Sequence, residues 1–595
     1  MARGRALGCL LLLLSGCAGL PPASPPPPPL ALSPFRAPAV PLFVQTPYLN
    51  VWLCGDRLAD EVPKLWNGQI KGMTGVLKID GKAYRFLGLP TSPLPALRQD
   101  SLRIYPTRTV FEFSQEDVRL TLEFLSPMDP RDLRLLSLPV GLLRAEVSSP
   151  IPRSIQIYFD LTGEWAVGSS DRRITWDGLF RIRPSQPRRF RETYNYPDWG
   201  ELHWSPVEPA TSQYGISQDV RKAFIEGGSP SRDTRYPRAV SDDWPVFAHS
   251  WDLGSVRAPV VRRLVLGLAR HDVVDYFGSA CPAYWTKDYA DGTALIAAVR
   301  TDFEAIRTRA IAVDAEVLSR ATAAGGTPLA CLAALAFRQS FAANELALYR
   351  DQVFYFSKSM DLSGPSSIQS LDVLYPSSSA LLAFNPALLK MQLAPLLDAL
   401  QRGDWKESQV MEDLGSYPVA SGQGSSAAPR PQATAQLVLL ARMAGSPPLP
   451  ERFLKALSEA DFARNALQRL DPGRDRIRKE LFVDRLLDIT GVRDEELARE
   501  VAQVRTRTGK YGTPLEPNKP TVHVDALLWT AAISTAADRE AFASEVLRFY
   551  GETAVRVPPA DRYESDTGRP TGTQARPVLG SVFAPFLLSP RRGER

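Results

Sequence analysis

The feature that most constrains this chain is a change of hydrophobic period near its middle. Up to about residue 290, apolar residues alternate with polar ones, as in Val118, Leu120, Leu122 and Phe124, or Ile155, Ile157, Phe159 and Leu161. A period of two sends successive side chains to opposite faces of a strand. Turn dipeptides punctuate these runs at Asp80-Gly81, Ser126-Pro127, Asp129-Pro130 and Asp177-Gly178. The pattern predicts antiparallel β-sandwich sheets with one wet face over 42–290. After Asp291-Gly292 the period lengthens, and Leu295, Ile296, Val299, Phe303 and Ile306 fall on one helix face. Further helices are predicted at about 329–348, 386–402, 432–444, 451–470, 478–507, 523–536 and 538–551. Strands followed by helices predict two kinds of domain, with 291–595 helical, and not one α/β sheet.

The N-terminus reads as an address. Arg3 and Arg5 precede an apolar run from Ala6 to Leu14, too short to span a bilayer, and then Leu14-Ser15-Gly16-Cys17. That string is similar to a bacterial lipobox, which predicts residues 1–17 as a lipoprotein signal and Cys17 as the lipidated residue. Ala18 after it is similar to an outer-membrane signal, so the expected location is the bacterial cell envelope, with the membrane as a partner through Cys17. Ten of the 52 prolines lie within 18–41, an extended and solvated tether. Beyond Cys17 only Cys54, Cys281 and Cys331 remain, so at most one disulfide could form. The net charge of +5 is too small for a nucleic-acid footprint, and none is expected as a partner.

Generic catalytic motifs are sparse. The four histidines, His203, His249, His271 and His523, show no metal-ligand spacing, and no metal or cofactor is called for. There is no Ser nucleophile elbow, no phosphate loop and no dinucleotide fingerprint. Carboxylates beside aromatic residues are what remains for chemistry.

Longer strings are more specific. TPYLNVWLCGDRL (46–58), PKLWNGQIKGMTGVLKIDGKAYRFLG (63–88), SLDVLYPSSSALLAFNPALLK (370–390), DLGSYPVASGQ (413–423), LLWTAAIS (527–534) and RVPPADRYESDTG (556–568) follow one another in an order that resembles the glutaminase A family. The resemblance runs over most of the chain. It implies an N-terminal β-sandwich region and a C-terminal six-hairpin (α/α) toroid. It also implies hydrolysis of an amide, glutamine to glutamate and ammonia, so the expected partner is a small-molecule amide or, since such toroids also cleave sugars, a glycan.

Departures from the family pattern matter as much. The family carries a Met-Pro-Val-Glu-Glu stretch after its DLGxYP string, and here Gln432 and Ala433 stand at the two Glu positions, with Gln436 where an Asn would be. Gln cannot take a proton, so the paired general base is lost. The interval 445–477 is also short, which predicts an incomplete toroid wall. Asp372, Asp413 and Asp525 match family carboxylates and are the catalytic candidates. Asp372 could work as an acid or base, or brace a loop, while Asp413 could simply make a turn. Tyr375, Trp529, Asp561 and Arg576 are the substrate-binding candidates. For the two aromatics the competing reading is core packing, and for Asp561 and Arg576 a structural ion pair. Three functions follow: a glutaminase-type hydrolase weakened or silenced by its lost Glu pair, a glycan-processing or glycan-binding lipoprotein, and a non-catalytic envelope scaffold.

Overall fold

The computed structural model describes residues 35–588 apart from 91–92, 179, 230–232, 404, 425–427, 447–448, 455–460 and 471–475. The signal segment, Cys17 and most of the Pro-rich stretch lie outside the described residues. Cys54, Cys281 and Cys331 are all free thiols.

Two large antiparallel sheets build the first half, one of nine strands and one of five. In the nine-stranded sheet, Val118–Leu125 buries Val118, Leu120, Leu122 and Phe124 while Arg119 faces water, as its alternation predicts. The five-stranded sheet centres on Arg153–Thr162, which pairs on either side with Met73–Ile79 and Pro245–Val256. Rings from the two sheets meet edge-on or tilted between them: Phe86 with Phe113 at 6.2 Å, and Trp176 with Phe247 at 5.3 Å. Aromatic pairs at such spacings are favourable beyond the area they bury.

The switch at residue 291 is a helix start. The Asp291 carboxylate accepts from the backbone N–H of Ala294 at 2.8 Å, capping the helix Gly292–Thr301. The next helical stretch, Phe303–Ala342, is broken at Gly325 and Gly326, where the backbone leaves helical geometry. Pro328 therefore lies in the first turn of the second segment, where its missing N–H costs nothing.

Helical period misled the reading at two places. Residues 329–348 do not continue as helix: Asn344 donates back to the carbonyls of Ser340 and Phe341, at 3.2 and 3.1 Å, and closes it. The chain then turns as a hairpin of Asn344–Tyr349 and Gln352–Ser357. The stretch 478–507 divides into Leu481–Leu487 and Asp494–Arg505, because Asp488 and Gly491 adopt left-handed φ of 49° and 68°. In 451–470 the described helical residues are Glu451–Leu454 and Phe462–Leu470. Between the helices Pro431–Ala444 and Val524–Ala532, the described helices Leu481–Leu487 and Asp494–Arg505 are short.

The two halves are locked by buried charge. Arg338, fully buried on the second segment of the broken helix, donates to the carbonyls of Pro41, Tyr105 and Arg108 and to Thr109 Oγ1 in the sheet half. Arg108 bridges Asp314 at 2.7 Å and Glu123 at 2.8 Å, and Arg307 also holds Glu123. Glu123 can therefore sit buried in a strand. Further along the seam Arg270 pairs with Glu345, and Lys358 with Glu192.

Candidate funnel site

Three helices of the toroid begin around one cavity of about 220 Å³: Leu371–Phe384, Pro431–Ala444 and Val524–Ala532. Helix N-termini present unpaired N–H groups and partial positive charge, so carboxylates in a first turn are stabilised there. Asp372 and Asp525 occupy such first turns, and Asp561 and Glu480 complete the acidic part of the lining.

Each carboxylate is answered by a cation. Asp372 Oδ2 accepts from Arg430 Nη2 at 2.9 Å and Oδ1 from Gln436 Nε2 at 3.2 Å. Burial pushes the Asp372 carboxyl up, but Arg430 and Gln436 outweigh it and hold it below the usual carboxylate range. The same guanidinium grips Glu412, Nε to Oε1 at 2.8 Å and Nη2 to Oε2 at 2.9 Å, and pulls that carboxyl down as well. Asp525 is salt-bridged to Lys479, and His523 Nδ1 lies 4.0 Å from its other oxygen. Burial raises the Asp525 carboxyl, yet Lys479 and His523 win and bring it to about 2. Burial also keeps His523 neutral, with a pKa lowered to about 4. Asp561 is sealed from solvent, its Oδ2 3.6 Å from Arg576 and 3.9 Å from Arg562, and its Oδ1 has no hydrogen-bond partner among the described residues.

The structure therefore brings Asp372, Asp525, Asp561 and Tyr375 to one cavity and leaves the other candidates outside its lining. Asp413 braces a loop instead: its Oδ1 accepts from the N–H of Gly415 at 2.9 Å and of Gly424 at 2.8 Å. Trp529 is fully buried behind Tyr375, ring to ring at 5.1 Å, and its Nε1 donates to Ser379. Arg576 is buried beside Asp561, and its carbonyl accepts from Gln339. Gln432 lines the cavity, and Ala433 next to it is buried outside the lining. Arg430, Glu412, Lys479 and His523 escaped the sequence reading. Arg430 directly precedes the substituted Pro431-Gln432-Ala433 stretch and Lys479 opens RKELFVDRLLD, and those neighbourhoods were the available signal.

Antiparallel sheets locked to a helical toroid, with carboxylates gathered at its helix N-termini, define a two-part sandwich–toroid protein with a funnel site. The profile of the Glutaminase A six helical-hairpin domain matches 326–445 and 467–586, beginning at the Gly325-Gly326 break. Two domains of unknown function match 31–98 and 107–320. Glutaminase A of Aspergillus oryzae is 31% identical over 418 residues, covering 66% of this chain and 60% of its own. A probable glutaminase of Arthroderma benhamiae is 26% identical over 424 residues, 64% of this chain and 49% of its own. The chain belongs to the glutaminase A family. It aligns with half to three-fifths of the length of these two relatives. Among solved structures, a family GH92 alpha-mannosidase from Bacteroides thetaiotaomicron aligns over 87% of this chain and 63% of its own at 7% identity, with a TM-score of 0.25, too low to carry any argument.

Proposed function

We propose that the funnel binds a small amide of the glutamine type and hydrolyses it weakly or not at all, in a protein anchored to a bacterial envelope through Cys17. In such hydrolysis water adds to the side-chain carbonyl carbon, the C–N bond breaks and ammonia leaves. One group must accept the proton of water, and the departing nitrogen must gain one. Family membership supports the substrate class, and a 220 Å³ cavity lined by both charge signs suits one zwitterionic amino acid.

The observation that carries the weak-turnover reading is the occupation of Asp372. It is the half-exposed carboxylate of the cavity, its side chain 47% accessible, and Arg430 and Gln436 take both its oxygens. A carboxylate held ionised by a guanidinium is a poor base, and the Glu pair that would serve instead is Gln432 and Ala433.

Glutamine binding by calorimetry and ammonia release, measured on the purified full-length protein, test this. Binding is expected, with turnover slower by at least about 10²-fold than in a relative that keeps the Glu pair. Robust turnover abolished by Asp372→Asn would overturn the weak reading. Absence of glutamine binding would overturn the ligand.

A further inference from the structure

The largest cleft of the molecule is not the funnel. It measures about 1540 Å³, lies on the seam between the sheet half and the toroid, and shares no lining residue with the funnel cavity. We propose that this cleft is a separate binding site for an oligosaccharide, with Tyr194 as its stacking platform and a preference for chains that carry a carboxylate. The proposal is independent of the funnel reading.

Tyr194 is placed at some expense. It forms, with Asn195, the two-residue tip of the hairpin Glu192–Thr193 and Tyr196–Pro197, and both tip residues have positive φ, 52° and 63°. A turn of that kind favours Asn, Asp or Gly at its first position, and an aromatic residue there is strained. No core packing offsets the strain, because Tyr194 is 73% exposed. The tip is nevertheless held firmly. The Tyr194 carbonyl accepts from Asn67 Nδ2 and Gln69 Nε2, both at 2.8 Å. Asn195 reaches across the seam to the carbonyl of Gly364 at 3.2 Å and accepts from Ser366 Oγ at 3.1 Å. Strain retained at an exposed turn whose backbone is held from both halves points to a functional position.

The rest of the lining says what the platform meets. Trp405, half-buried against the core, lines the toroid side, and its Nε1 donates to the carbonyl of Gln409. Leu362 is exposed on the loop opposite Tyr194's hairpin, and Ser363, Ser416 and Ser421 add hydroxyls. A sugar ring offers apolar C–H faces to aromatic rings and hydroxyl edges to serines and backbone, which is this mixture. A peptide helix would need a continuous apolar wall, and here apolar residues alternate with Ser and Gly. The volume exceeds the usual range for one small molecule, roughly 300–1,000 Å³, so the occupant is extended. Arg191 supplies the charge preference: it lines the cleft, is exposed, and has no ion-pair partner among the described residues. The neighbouring Glu192 is already neutralised by Lys358.

The test is binding of the full-length protein to an array of neutral and uronate-containing oligosaccharides, followed by affinities in solution. Tyr194→Ala should weaken binding about tenfold, the loss expected for one buried ring, while Tyr194→Phe stays near wild type. Arg191→Gln should weaken only the acidic ligands. Tyr194→Gly provides a folding control, because glycine accepts the left-handed φ: it should keep or raise the melting temperature while binding weakens as much as in Tyr194→Ala. The proposal is overturned by no binding above background to any saccharide, by binding indifferent to Tyr194→Ala, by a Tyr194→Gly variant that melts lower, or by capture of peptides in place of sugars.

Discussion

Asp525 and Lys479 show how a single pair governs the funnel. The lysine sits under the cavity with its pKa raised, since the attraction of Asp525 and Glu480 outweighs the cost of burial. The Asp525 carboxyl, at about 2 in the fold against about 3.9 in an unfolded chain, favours the folded state at any pH above the higher value. That contribution, about 2–3 kcal/mol, is lost as pH falls from about 4 toward 2. His523 acts in a separate window, from about 6.5 down to its folded value of about 4, because a buried neutral imidazole resists protonation. Asp525→Asn is expected to cost about 3–5 kcal/mol at neutral pH by stranding Lys479, and to flatten the loss of stability below pH 4. Denaturant melts across pH 2–7 check both parts, and an unchanged acid limb would show that the pair is not what titrates there.

At the scale of elements, the break at Gly325 and Gly326 decides where the toroid begins. Gly326 has φ 71° and ψ −169°, a conformation almost reserved for glycine. A Cβ there would also come within 3.1 Å of the Glu540 carboxylate on the helix Ala536–Glu552. Gly326→Ala is therefore expected to destabilise by about 1–3 kcal/mol and to lower the thermal midpoint, read by calorimetry. A midpoint equal to wild type would mean that the break is set by packing and not by the glycine. The wall from 451 to 505 contrasts with this. Its described helices Leu481–Leu487 and Asp494–Arg505 are short, and the Glu496 carboxylate accepts from the backbone N–H of Arg493 at 3.2 Å at the start of the second. Short helices in water are marginal, so packing on the long helices holds this wall.

At the scale of the whole molecule, the seam and the proposed membrane anchor set how the protein presents its sites. The seam is charged throughout: Arg338, Arg108 and Arg270 are buried with their partners, and a strand of the toroid half, Val419–Ala420, pairs in parallel with Asp272–Tyr276 of the sheet half. Removing one partner of such a pair is costly, which makes the cleft between the halves a fixed shape. Among the described residues, no helix is long and apolar enough to cross a membrane. Membrane attachment, as proposed, rests on Cys17. Cys17→Ser should move the protein from the detergent-extracted to the soluble fraction, and identical partition of the two forms would refute the lipid anchor.

The primary structure was enough to read the period switch at Asp291-Gly292 and the family strings, because each is written in neighbouring residues. Short-range physics, alternation, capping and turn chemistry, decides such features. It did not reveal that Arg430 would close over Asp372, 58 positions away, or that Asp413 would spend its oxygen on Gly415 and Gly424. Nor did it show that Asn344 ends a helix whose apolar pattern runs on, since 344–348 fits a strand and a helix equally well until Gln352–Ser357 is there to pair with it. Tyr194 carries no motif at all, and the amides of Asn67 and Gln69, more than a hundred residues earlier, hold its carbonyl while Asn195 ties the same turn to Gly364 and Ser366. Those outcomes belong to the tertiary structure, because charge pairing, burial and ring presentation depend on which distant residues the fold brings within a few ångströms.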